Sequence, residues 1–207
     1  MITPRTPERD AEGGFTLVEM LIAVLLGLIV MGVIAGLFAS AARTQTSVRT
    51  STQAADLGQL IARSVSQGAN NATALSVLTD SVTGAEMLRA RVYSMSPTND
   101  PTQGLASGVS CQAWYYSPAT GGAIYVKTVT PAAAIPMPTG VPDNSWILIG
   151  NGLGVKVGAS PSSAIFATPS GTRVDLKFDV TNGTNSPVHI ETTTHIPNTT
   201  TVSAPCF

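Results

Sequence analysis

The apolar positions of this chain fall into two regimes. From Met20 to Ala42 the sequence runs 23 residues without a charge, most of them Leu, Ile, Val, Ala or Met. Wound into a helix, that run is about 34 Å long, enough to cross the hydrocarbon of a bilayer. Beyond it the pattern turns amphipathic. Leu57, Leu60, Ile61 and Val65 recur at helical spacing, with no proline between Ala41 and Gln67 and one glycine, Gly58. The expected element is one long helix from Phe15 to about Gln67, its second half laid on a sheet. Gly68-Ala69-Asn70-Asn71 supplies turn chemistry to end it.

After that the period shortens to two. Leu88 to Tyr93 alternates. Cys111–Tyr116 and Ala123–Val129 flank Ser117-Pro118-Ala119-Thr120-Gly121-Gly122, which reads as a hairpin. Trp146–Ile149 and Leu153–Val157 flank Gly150-Asn151-Gly152. Val174, Leu176, Phe178 and Val180 alternate with Asp175, Lys177 and Asp179, the clearest half-buried strand of the chain. Asn182-Gly183 turns it back toward Val188–Glu191, and Pro131–Pro142 is a Pro/Ala-rich loop. The fold class is therefore α+β, a long N-terminal helix packed on a mostly antiparallel sheet.

One position breaks the apolar regime. Glu19 lies five residues into the apolar run as counted from Phe15, and a carboxylate at the centre of a membrane helix costs about 2.5–3.5 kcal/mol on insertion scales, less near an end. The run is too long for a secretory signal peptide, whose apolar core spans ~7–15 residues, although Ala39-Ser40-Ala41 offers a small-x-small site. A plain anchor accounts for the length but not for Glu19, nor for Gly13-Gly14 where polar sequence meets apolar.

Gly13-Gly14-Phe15-Thr16-Leu17-Val18-Glu19-Met20-Leu21-Ile22-Ala23 resembles the class III signal of type IV pilins and pseudopilins. The resemblance covers residues 10 to 40. It implies a leader, residues 1–14, removed by a prepilin peptidase that cuts after Gly14 and methylates the new amine of Phe15. It implies a membrane and assembly helix over 15–42, an amphipathic continuation over 43–67, and an extracytoplasmic β-rich head over 68–207. In the family, Glu19 meets the Phe15 amine of an adjacent subunit, so the implied partners are the peptidase and other pilin subunits.

Physical chemistry agrees. An α-amine with a reference pKa of about 8 is mostly cationic at neutral pH, which gives Glu19 a counter-charge. Phe15 and Glu19 are also i and i+4 neighbours on one helix. The competing explanation is a carboxylate that snorkels from the helix end to the interface. Two features depart from the family pattern. Glu12 precedes the glycine pair where many members carry Lys or Arg, so charge gives little support for a cytoplasmic leader. Gly27, Gly32 and Gly36 stand where many members have a helix-breaking proline, and Gly32–Gly36 forms a weak GxxxG match.

Charge and cysteine content narrow the function. Charged residues make up 11% of the 207, the net charge is −1, and residues from Phe15 onward carry nine basic and nine acidic side chains. No basic stripe points to nucleic acid. Cys111 and Cys206 suffice for one disulfide, the natural pairing if the head lies outside the cytoplasm, with two free thiols as the alternative. His189, Glu191 and His195 share a strand face, but without a metal-ligand spacing they read as solvated polar residues. Asp179–Gly183 lacks the spacing of a calcium loop. Trp114, Tyr115 and Tyr116 read as core. Asn71, Asn182 and Asn198 open glycosylation sequons that a Thr-rich chain produces by chance, and are taken as solvated loops.

No phosphate loop, Ser-His-Asp set or CxxC pair is present in the sequence, so neither an enzyme nor a cofactor is expected. The expected protein is a minor pilin or pseudopilin of a type IV pilus or type II secretion-like filament. It would be a single-pass prokaryotic membrane protein with its head outside the cytoplasm, at the cell surface or in the pilus. The alternative is a bitopic anchored adhesin or sensor ectodomain that never polymerises.

Overall fold

The computed structural model describes residues 16–93, 109–154, 164–169, 172–183, 185–196 and 205–207. One helix, α1 (Leu17–Asn70), precedes nine strands: β1 (Ala72–Thr79), β2 (Glu86–Tyr93), β3 (Val109–Ser117), β4 (Ala123–Val129), β5 (Ile147–Asn151), β6 (Leu153–Gly154), β7 (Phe166–Ala167), β8 (Arg173–Asn182) and β9 (Asn185–His195). The chain divides into two compact units, residues 1–47 and Val48–Phe207, and α1 belongs to both.

The α+β expectation holds, with two sheets in place of one. The first runs β1-β2-β3-β4-β5; the second runs β6-β8-β7, with β9 also on β8. All pairings are antiparallel. The β3–β4 hairpin forms as the sequence suggests, closed by a short 3-10 turn at Pro118–Thr120. The β8–β9 hairpin turns at Asn182 and Gly183, and β8 buries Val174, Leu176, Phe178 and Val180 as its alternation requires.

Two features were not legible in the local pattern. The residues either side of Gly150-Asn151-Gly152 are not partners. Gly152, at φ 75°, passes the chain from one sheet to the other, so β5 pairs with β4 while β6 pairs with β8. Backbone bonds stitch the crossing, Leu153 N–H to the Gly122 carbonyl at 3.0 Å and Thr181 N–H to that of Gly152 at 2.8 Å. Gly122 must be glycine there: φ is 78°, and a Cβ would lie 1.5 Å from the Leu153 carbonyl oxygen. Val155–Val157 lie outside the described residues. In addition, β1 was not expected; its Leu75 and Val77 pack on the main core beside Ala90 and Leu88 of β2.

The helical stripe also differs from the one the large side chains suggested. Ile61 and Val65 are fully buried and Leu57 is half-buried, but Leu60 is 55% exposed. The buried line is Ala54, Gly58, Ile61, Val65, Gly68 and Ala69, and α1 continues to Asn70 because these small residues are part of the contact. A Cβ on Gly68 would lie 2.0 Å from Cη2 of Trp114, whose indole N–H donates to Ser64 Oγ at 2.9 Å. A Cβ on Gly58 would lie 2.5 Å from Cγ1 of Ile190 and 2.7 Å from its Cδ1. Small residues let the helix axis approach both sheets, and one core joins Ile61 and Val65 to Leu88, Trp114 and Ile124 of the first sheet and Phe166, Leu176 and Phe178 of the second. Ser66 with Thr194, at 2.9 Å, and Asn182 Nδ2 donating to Ser51 Oγ, at 2.9 Å, add polar contacts between α1 and the β8–β9 hairpin.

Glu86 supplies a further tie between the sheets. Its carboxylate, 5% exposed, accepts the Phe166 N–H at 2.9 Å and a second bond from the Ile165 amide, holding β7 beside β2. On the opposite face of the first sheet a smaller core gathers Met87, Cys111, Tyr115, Ile135, Trp146 and Cys206. Trp114, Tyr115 and Tyr116 are all buried.

Gly68→Ala is expected to destabilise the fold by about 1–3 kcal/mol, because the ring it meets cannot yield within a packed core. Gly58→Ala, which meets the half-buried Ile190 in place of a fully buried ring, should cost less; equal losses in chemical denaturation would contradict this helix–sheet geometry.

Burial pushes the Glu86 carboxyl above its ordinary 4.5, the Phe166 and Ile165 amides opposing it. The folded state therefore holds that proton to higher pH than the unfolded chain does. Its contribution to stability is full below the ordinary value and is lost as pH rises through the raised one. The stability of the wild type minus that of Glu86→Gln should fall as pH is raised from 4.5 toward neutrality; a difference that grows over that range would contradict the assignment.

Candidate functional site

The described part of the helix start is Thr16 followed by Leu17, the first helical residue. Thr16 sits at the N-cap and Glu19 three residues on. Their side chains satisfy each other's backbone: Thr16 N–H donates to Glu19 Oε2 at 3.0 Å, and Glu19 N–H donates to Thr16 Oγ1 at 3.3 Å. The Thr16 hydroxyl also donates to Oε2 at 3.0 Å. This is a capping box, which satisfies N–H groups that the first helical turn leaves open. Glu19 Oε1 has no partner among the described residues. Gly14 and Phe15 lie outside the described residues.

Thr16 is the residue that the sequence analysis missed. The signal was present, since Thr16-Leu17-Val18-Glu19 matches the S/T-x-x-E pattern of such boxes.

From Leu17 to Phe38 the large apolar side chains are 43–77% exposed. They point away from the axis all round it, and α1 stays helical through Gly27, Gly32 and Gly36, whose Cβ positions face open space. The segment is long and apolar enough to cross a membrane. An all-round apolar helix finds its partners in lipid or in other helices. Past it, the hydroxyls of Thr44, Thr46 and Thr52 donate to carbonyls four residues back, which lets polar side chains ride on the helix at no loss of backbone bonds.

The other candidate residues resolve as follows. Cys111 and Cys206 form a disulfide with Cα atoms 5.4 Å apart. The pair is buried, and the Arg89 guanidinium lies 5.2 Å from the centre of the adjoining Phe207 ring. In the chain-entropy model a bridge closing a loop of ~100 residues contributes roughly 4.7 kcal/mol. His189 and Glu191 share the solvent face of β9, where cross-strand partners engage them. His189 Nδ1 lies 2.6 Å from Asp179 Oδ1, and Lys177 Nζ lies 2.7 Å from Glu191 Oε1. His195 stands opposite Arg173 in the register. Among the described residues no three His, Cys, Asp or Glu side chains converge as a metal set. Asn182 is buried and bonded to Ser51, and Asn198 lies outside the described residues.

Comparison with known proteins bears on this helix start. Residues 9–35 match the model of the prokaryotic N-terminal methylation motif. The chain thus carries the type IV pilin, or prepilin-type, signal, and with its apolar helix it fits a membrane-anchored protein. No curated protein and no solved structure matches the chain.

Thr16→Val keeps the shape at the N-cap and removes both hydroxyl bonds. Loss of a cap of this kind costs about 0.5–2 kcal/mol. The amides of Val18, Glu19 and Met20 should then exchange faster in detergent micelles, while those of Ile61 and Val65 do not change. Unchanged exchange at the helix start would contradict the capping geometry.

Proposed function

We propose that this chain is a minor pilin or pseudopilin, a structural rather than catalytic subunit of a type IV pilus or type II secretion-like filament. In this reading it inserts as a single-pass precursor with its head outside the cytoplasm. Prepilin peptidase cuts after Gly14, the Phe15 amine is methylated, and subunits assemble through the N-terminal half of α1. The observation that carries the reading is the methylation motif over residues 9–35, joined directly to an apolar helix whose large side chains are exposed among the described residues.

The chemistry at Glu19 supports it. One carboxylate oxygen is committed to the helix cap, and the other has no partner among the described residues. A second, cationic partner matches that oxygen, and cleavage makes one in the form of the Phe15 amine. An ion pair in low dielectric is favourable only with both members present, so Glu19 selects a correctly placed, cleaved neighbour. The buried disulfide supports placing the head in an oxidising compartment.

N-terminal mass spectrometry of the protein from its native membrane tests the proposal. The expected product begins at a methylated Phe15. A membrane-bound product that keeps residues 1–14 would contradict it and favour the anchored adhesin or sensor.

A further inference from the structure

The outer face of the first sheet, opposite the one that holds α1, carries a cavity of about 310 Å³. Its walls are the loop between β4 and β5, with Pro136, Met137, Pro138 and Val141, and its floor includes Lys127 and Trp146. The loop is pinned before any ligand arrives. Ile135 is buried beneath it, and the Tyr115 hydroxyl donates to the Gly140 carbonyl at 3.1 Å. Small-ligand sites are usually preformed, and this open pocket, with polar as well as apolar lining, has a volume at the lower end of their range.

The polar end defines the ligand. Lys127 Nζ donates to Ser145 Oγ at 2.7 Å and lies 5.7 Å from the centre of the Trp146 ring. Ser145 in turn donates to Asp143 Oδ1 from its hydroxyl and, at 2.8 Å, from its backbone. These Ser145 bonds, with Lys127 nearby, hold the Asp143 carboxyl below the ordinary range, so it is charged at neutral pH. The end of the cavity therefore holds one ammonium and one carboxylate, a net charge of zero, which favours neither an anion nor a cation. Lys127 has two further N–H donors. Asp143 Oδ2 and the Trp146 indole N–H have no partner among the described residues. A wholly apolar ligand would strand these groups, at a cost that buried polar atoms do not tolerate.

What fits is a neutral molecule with donors and acceptors on adjacent atoms and one apolar face. A pyranose has this form: neighbouring hydroxyls to bridge Lys127 and Asp143, and a C–H face for Pro136, Met137 and Val141. We propose that this cavity is a binding site for a neutral pyranose, either a free sugar or the terminal residue of a surface glycan. The site does not depend on the filament reading, because every residue in it belongs to the unit that begins at Val48.

The test uses the full chain in a zwitterionic detergent that carries no sugar, with the two tryptophan indole N–H resonances as reporters. Trp146 lines the cavity, while Trp114 is fully buried and bonded to Ser64, so it serves as the internal control. Methyl pyranosides of the gluco, galacto, manno and N-acetylglucosamino series are titrated, with acetate, methylammonium and cyclohexanol as anionic, cationic and apolar controls. At least one pyranoside should shift Trp146 saturably and leave Trp114 in place, while the controls do not. Asp143→Asn and Lys127→Met should each weaken that binding at least about tenfold, with the Trp114 resonance showing that the variant is folded. Failure of every pyranoside to shift Trp146, an equal response to any control, or undiminished affinity in a folded variant would each overturn the proposal. The wild-type titrations decide even if both variants unfold. Competition by the active pyranoside against glycan-coated beads then separates a surface glycan from a free sugar.

Discussion

A single uninterrupted helix must satisfy two different surroundings, and the rest of the molecule follows from how it does so. Its first half offers apolar side chains in every direction, and among the described residues they stay largely exposed. Its second half offers a narrow line of alanines, glycines and two β-branched residues, sunk into a core shared by two sheets. No described residue of the chain covers the first half. The second is satisfied within the chain, and so closely that Gly68 lies under the ring of Trp114.

The head carries the consequences of that close approach. A sheet crossing at Gly152, a buried carboxylate on the backbone of β7, and a disulfide that ties the C-terminal residues to β3 each add a connection beyond the helix contacts. The first two ties border the core that the two sheets share with the helix, whereas the disulfide lies in the smaller core on the other face of the first sheet. The face away from the helix is left free to carry the loop and cavity above Lys127 and Trp146.

Legibility from sequence followed the size of the local signal. Strand β8 was plain because four large apolar residues alternate with charges, and the β3–β4 hairpin because proline and glycines separate two apolar runs. Strand β1 escaped because Ala72–Thr79 mixes small and polar residues whose burial depends on β2. The helical stripe was misplaced at Leu60, since periodicity weights large side chains while this interface selects small ones. The change of sheet at Gly152 depends on long-range pairing that no local pattern records. At the helix start, Glu19 was legible as a residue in need of a partner. Its bonds to Thr16 needed the helix boundary, which places Thr16 at the N-cap.

In the proposed reading Glu19 is both cap and counter-charge, and a substitution that separates the two roles tests that reading most directly. Glu19→Gln keeps a side-chain oxygen able to accept from Thr16 in a capping box and removes the charge. Incorporation into filaments, relative to the membrane-inserted pool, is the measurement. The account predicts normal insertion, an intact head with its Cys111–Cys206 bridge, and a large fall in incorporation. Incorporation equal to wild type would contradict it, leaving Glu19 as a helix cap alone.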